Sequence, residues 1–329
     1  MHFRSIADLN QDILGNLQRI PRDIDVVVGV PRSGLVPATL ISLYFNLPLA
    51  DVEGFAAGRL LACGRTKQYE GLQLNHEDAR HVLLVDDSVL TGVSIRAARE
   101  ALIAAAPAMR ITTLVVYGET TSGPGADIVL AVVKQPRVFQ WNVMHHRVLG
   151  ETCVDIDGIL CVDPTSAEND DGPSYLRFLQ TSAPLHRPTR RIYALVTSRL
   201  EKYRKETEVW LSTVGVEYER LIMLDLPDAR TRREKNVHGT FKADYYRSSN
   251  ARLFIESDIR QAREIAVQSK KPVLWLPGAE MIYHDGAPPW DPLYVARRRG
   301  GISAMRMLAR SLVGERMYLR LRGILRPAR

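Results

Sequence analysis

Val82-Leu83-Leu84-Val85-Asp86-Asp87-Ser88-Val89-Leu90-Thr91-Gly92-Val93-Ser94 decides how the first half of this 329-residue chain is read. Its four leading apolar residues pattern as a short buried strand. Two adjacent carboxylates, Asp86 and Asp87, stand at the strand's C-terminal end. Thr91, Gly92, Val93 and Ser94 form a small polar loop, and Ile95 to Ala106 reads as the helix behind it. Loop N–H groups, hydroxyls and a helix N-terminus favour a phosphate. The carboxylates suit vicinal sugar hydroxyls or a divalent cation. The stretch therefore reads as a site for a phosphorylated sugar.

Upstream lies a second unit of the same kind. Asp25–Val30 is a buried strand, Pro31-Arg32-Ser33-Gly34 a loop, and Leu35–Phe45 a helix. Repetition of strand, loop and helix predicts a parallel sheet with crossovers. Residues 1–20 pattern as a helix stopped by Pro21, and Ile111–Tyr117 and Ile128–Val133 as further strands. Residues 54–78 form a long polar connection containing Arg65 and Lys67. Trp141 reads equally as core or as a stacking surface, and His145-His146 as linker, since sequence neighbours point to different sides.

The apolar strand, Asp86-Asp87, three residues, Thr91-Gly92 and Ser94 resemble the phosphoribosyl pyrophosphate (PRPP) signature of type I phosphoribosyltransferases. Leu90 departs from it, standing where that family usually has a small residue. The resemblance implies that Asp86, Asp87, Thr91, Gly92, Val93 and Ser94 bind PRPP with Mg²⁺. It makes Arg32, Ser33 and Gly34 the pyrophosphate loop, and residues 54–78 a closing loop whose Arg65 and Lys67 reach the pyrophosphate.

In the second half, Thr152 to Leu160 reads as a strand carrying Asp155 and Asp157. Spacing of i, i+2 lets two carboxylates serve one centre, one as nucleophile and one as general acid and base. Ile192–Arg199 is a strand carrying Thr197, and Leu253–Asp258 one ending in Glu256 and Asp258. Together with Lys242, or its rival Lys235, these segments resemble the four motifs of haloacid dehalogenase (HAD) superfamily phosphatases. The resemblance implies that Asp155 attacks phosphorus, Asp157 moves the proton, and Thr197 and Lys242 hold phosphoryl oxygens. It also implies Mg²⁺ held by Asp155, the Asp157 carbonyl, and Glu256 or Asp258. The acidic insertion at 163–171 is short, which predicts an open site.

The expected fold class is α/β: two doubly wound parallel-sheet, Rossmann-like domains over residues 1–150 and 151–290, of phosphoribosyltransferase and then HAD type. A helical tail over 291–329 completes it. The net charge of +7 belongs to that tail, because residues 293–329 hold 10 Lys/Arg against 1 Asp/Glu, whereas residues 1–150 hold 14 of each. Met305, Leu308, Leu312 and Leu319 form an apolar stripe among arginines, which suits either an anionic membrane surface or the protein's own surface. No apolar run approaches a membrane span, and nothing in the N-terminus reads as a signal peptide. Three cysteines without metal spacing fit a cytoplasmic location, peripheral to a membrane if the tail binds one. Nucleic-acid binding is not expected, and a homodimer is left open.

PRPP chemistry followed by loss of the 5-phosphate sums to transfer of ribofuranosyl. The fusion resembles bacterial enzymes that install ribofuranose in cell-surface polysaccharides, which implies a glycan acceptor, lipid-linked or free. The alternatives are nucleobase phosphoribosyl transfer with a linked nucleotide phosphatase, and a PRPP-sensing regulatory domain on a phosphatase.

Overall fold

The computed structural model describes residues 1–61, 76–235 and 237–284. Arg65, Lys67 and the basic tail lie outside the described residues. The chain divides into two compact units, Met1–Val148 and a second from Leu149 onward.

In the first unit the elements are β1 (His2–Arg4), α1 (Ile6–Leu14), β2 (Val26–Gly29), α2 (Leu35–Phe45), β3 (Leu49–Asp51) and α3 (Val52–Ala56). They continue with β4 (His81–Ser88), α4 (Val93–Ala105), β5 (Arg110–Gly118), β6 (Ile128–Val132) and β7 (Arg137–Phe139). Among the described residues, five strands pair in the order β3-β2-β4-β5-β6, all parallel. Val82–Val85 of β4 are wholly buried at its centre, and a fully buried Val or Leu contributes about 1.5–3 kcal/mol. From β2 the chain passes to β3 on one side and then to β4 on the other. That reversal opens a crevice at the C-terminal ends of β2 and β4, where such sheets bind ligands.

The N-terminal helix is shorter than its periodicity predicts. Ser5 and Asp8 form a capping box, with Ser5 Oγ accepting from Asp8 N at 3.1 Å and Asp8 Oδ2 from Ser5 N at 2.8 Å. The box fixes the helix start at Ile6. The residues before it instead form β1, parallel to β7. The helix also ends at Gly15, six residues before Pro21. The long polar connection is helical at its start, where Asp51 caps α3 by accepting from Gly54 N at 2.6 Å.

The second unit runs β8 (Thr152–Val154), α5 (Pro173–Thr181), β9 (Ile192–Leu200), α6 (Arg204–Val214), β10 (Tyr218–Leu224) and α7 (Ala229–Lys235). Then come α8 (His238–Ser248), β11 (Leu253–Glu256), α9 (Ile259–Ser269), β12 (Val273–Trp275) and β13 (Glu280–Ile282). The strand order is β10-β9-β8-β11-β12-β13. This sheet is mixed: β13 runs antiparallel to β12, on a hairpin too short for a crossover. Its reversal point falls between β8 and β11. The strand read as Thr152–Leu160 stops at Val154, because the chain turns back and the N–H groups of Leu160 and Cys161 both return to Ile156 O.

Candidate functional sites

In the first unit, β4 extends through the acidic pair, so Asp86 and Asp87 are buried at 8% and 5% exposure. Asp86 Oδ1 accepts from Asp87 N at 2.8 Å. Burial, and next the Asp87 charge beside it, push the Asp86 carboxyl up to about 8. Asp87 Oδ2 accepts from Trp141 Nε1 at 2.7 Å. Trp141 stacks flat on Phe139 with centroids 4.8 Å apart, and Phe139 on Tyr117 at 5.3 Å. Trp141 is therefore both core and site, an aromatic column with its polar edge on a carboxylate.

A cavity of about 270 Å³ opens beside Asp86. Thr91, Gly92, Val93 and Ser94 line it, at the start of α4. Gly92 adopts a φ of 75°, and a Cβ there would lie 2.1 Å from Pro124 O. Only glycine permits that turn. Leu90, half exposed, lines the same wall. So does His146, read from sequence as linker; burial, then the Arg147 charge, lower its pKa, so it faces the cavity as neutral imidazole. Gln135, Asn142 and the buried Arg137 complete the polar wall. Arg137 donates to Val133 O and Val89 O, tying β7 to the loop after β4.

Arg32, Ser33 and Gly34 do not line this cavity. Gly34 nonetheless packs on the acidic pair: a Cβ there would stand 2.6 Å from Val30 O, 2.8 Å from Val85 O and 2.9 Å from Asp86 Oδ1. The two loops thus meet at the ends of β2 and β4. Arg32 is exposed.

In the second unit, Asp155, Asp157, Thr197, Lys242 and Asp258 line one cavity of about 580 Å³. Lys242, on α8, is 1% exposed and donates to Asp155 Oδ2 at 2.6 Å, Glu256 Oε2 at 2.8 Å and Gln261 Oε1 at 2.9 Å. Lys235, the rival, is exposed and does not line this cavity. Two carboxylates hold the Lys242 ammonium protonated, and burial pushes Asp155 up to about 8.

The four acids read as metal ligands are not gathered around one point. Glu256 is wholly buried against Lys242 and accepts from Ser257 N and Asp258 N. Asp258 caps α9, accepting from Arg260 N and Gln261 N. The Asp157 carbonyl accepts from Ser257 Oγ at 3.1 Å. Among the described residues no group of three metal-ligating side chains stands ready-made. The donor chemistry still suits a hard cation: the carboxyl groups of Asp155, Asp157, Asp163 and Asp258 line one cavity and offer only oxygen ligands. Asp163, part of the acidic insertion, faces that cavity too; burial first, then Asp157 and Glu256, raise its pKa.

Arg199 was not anticipated. It is wholly buried, and its Nη2 lies 2.6 Å from Asp157 Oδ1, with Nε 3.2 Å from both carboxylate oxygens. The fork fixes the orientation of the Asp157 carboxyl group. The signal was present, because Arg199 follows Thr197 by two residues on one strand and so shares its face.

Residues 2–147 match the phosphoribosyl transferase domain family. A xanthine-guanine phosphoribosyltransferase of Chromohalobacter salexigens is 34% identical over 125 residues, 36% of this chain and 67% of that protein. Among solved structures, a xanthine-guanine-hypoxanthine phosphoribosyltransferase of Helicobacter pylori is 20% identical with a TM-score of 0.33, covering 43% of this chain and 92% of that one. A purine phosphoribosyltransferase of Pyrococcus horikoshii is 19% identical with a TM-score of 0.29, covering 43% and 93%.

Proposed function

Because the chain belongs, through residues 2–147, to the phosphoribosyltransferase family, we propose that it moves 5-phosphoribosyl from PRPP to an acceptor and then removes the 5-phosphate. In the first unit, Asp86 and Asp87 meet the ribose hydroxyls or the Mg²⁺ that accompanies PRPP. Two carboxyl groups crowded at one strand end fit either partner. The Thr91–Ser94 loop receives the 5-phosphate on N–H groups and hydroxyls. A nucleobase acceptor is supported by the relative in Chromohalobacter salexigens, whose name specifies xanthine and guanine.

The phosphatase step rests on the contact between Lys242 and Asp155 at the end of β8. Asp155 is the nucleophile of this reading, with Lys242 holding it in place. Asp157, oriented by Arg199, gives a proton to the leaving alcohol and then takes one from the water that attacks the aspartyl phosphate. Thr197 stands at the phosphoryl site. A divalent cation held by Asp155 and Asp258 would supply Lewis-acid charge to the phosphoryl oxygens.

That second unit favours one further reading of the acceptor. A salvage enzyme that stripped the 5-phosphate would release an uncharged nucleoside. A glycan hydroxyl as acceptor makes the same step productive, giving an unphosphorylated ribofuranosyl residue. Supplying PRPP and Mg²⁺ with guanine, xanthine or hexose-bearing glycans, and identifying the phosphoribosylated product, separates the two.

A further inference from the structure

The second cavity contains a buried cation that meets no carboxylate among the described residues. Arg232 lies on α7, is 7% exposed, and lines the cavity with Thr197 and Lys242. Its Nη1 donates to Ser198 O at 3.0 Å and its Nη2 to Asn169 Oδ1 at 3.0 Å. Both acceptors are neutral. Its Nε is buried without a hydrogen-bond partner. The other cations around this cavity are engaged: Lys242 by Asp155 and Glu256, Arg199 by Asp157, and Arg260 by Asp258 at 3.6 Å. A buried guanidinium with a vacant donor and no carboxylate is costly unless an anion arrives to complete it.

The anchoring places that vacancy. Arg232 Nη1 is bound to the carbonyl of Ser198, the residue after Thr197, so the guanidinium is fastened to the strand end where the phosphoryl group is expected. His238, also in the wall, has its pKa lowered by burial first and then by the Arg232 and Lys242 charges, and so adds no competing cation at neutral pH.

We propose that Arg232 is the cation that receives the phosphoryl group of a phosphomonoester in this cavity, through the guanidinium edge that lines it beside Tyr175. Lys242, already shared between two carboxylates, orients Asp155 instead. The assignment rests on the phosphomonoesterase reading of the second unit and narrows its substrate to one whose dianionic phosphate fits between Thr197 and Arg232.

The test uses the full chain with inorganic phosphate as the probe. Phosphate binding is followed by calorimetry, and its inhibition of p-nitrophenyl phosphate hydrolysis is measured in parallel, for the native chain, Arg232→Gln and Arg232→Lys. Circular dichroism confirms the fold of each variant. The expected result is a dissociation constant weakened about 10- to 100-fold in Arg232→Gln, the loss of one charge-assisted contact. Partial recovery is expected in Arg232→Lys, with KM affected more than kcat. If Arg232→Gln does not fold, Arg232→Lys alone must bind phosphate several-fold more weakly. Native-like phosphate binding in the variants overturns the assignment to Arg232. Phosphate binding that depends on Arg232, in a chain that hydrolyses no phosphomonoester, overturns the phosphatase reading and leaves an anion site.

Discussion

Trp141 Nε1 donates to Asp87 Oδ2 at 2.7 Å, joining the aromatic column of the first unit to the carboxylates of its site. The bond fixes one carboxylate oxygen, and the other accepts a long bond from Ser88 Oγ at 3.5 Å. Trp141→Phe keeps the stacking on Phe139 and removes only the donor. A hydrogen bond to a charged group is worth about 1.5–3 kcal/mol. PRPP turnover should therefore fall about 10-fold or more, and the melting temperature should fall by several degrees. Steady-state kinetics beside a thermal melt checks this; equal turnover in Trp141→Phe would show that Asp87 needs no such anchor.

Gly34 is the steric hinge between the two loops. Alanine there would drive its Cβ into two backbone carbonyls and Asp86 Oδ1, all under 3 Å away. Overpacking of this kind costs about 1–3 kcal/mol. Gly34→Ala should lower the melting temperature and weaken PRPP binding together, as read by calorimetry.

The pH dependence of the first unit follows from Asp86. Its folded pKa, about 8, lies well above the ordinary aspartate range. Stability from the buried neutral acid is therefore complete below about pH 4 and is lost as pH rises toward 8. Asp86→Asn mimics the protonated form. It should match the native chain in melting temperature at pH 4 and exceed it by a few degrees at pH 8.5, while PRPP turnover collapses. A stability difference that is constant with pH would contradict the assignment.

In the second unit Arg199 and Asp157 form a forked pair beneath the cavity. Arg199→Ala leaves a carboxylate without its partner, and breaking such a buried pair costs about 3–5 kcal/mol. Arg199→Lys keeps the charge but not the fork. Both variants should hydrolyse p-nitrophenyl phosphate more slowly. The loss should appear in kcat more than in KM, because the fork that orients Asp157 is gone while the cavity wall remains. A kcat unchanged from the native chain would remove Asp157 from proton transfer.

The sheets were legible because their strands are apolar runs flanked by small-residue loops. Val26–Gly29, His81–Ser88 and Leu253–Glu256 all lie where the patterning places them. The first helix was misread because a capping box, a matter of two side chains, outweighs a stripe of four apolar residues. Antiparallel β13 escaped notice because three residues carry too little periodicity. In the sites, residues at strand ends were read directly from their motifs. Arg199, Arg232, Asp163 and His146 were not. Spacing puts Arg199 on the face of Thr197, but which charges the fold pairs is not encoded in spacing.

The most direct test of the two-step account compares the full chain with Asp155→Asn on PRPP, Mg²⁺ and a panel of purine bases and glycan acceptors, with products resolved by mass. The account predicts a phosphoribosylated product that accumulates in Asp155→Asn and loses its phosphate with the native chain. PRPP left intact with every acceptor would contradict transfer, and a product that keeps its phosphate in both proteins would contradict the linked dephosphorylation.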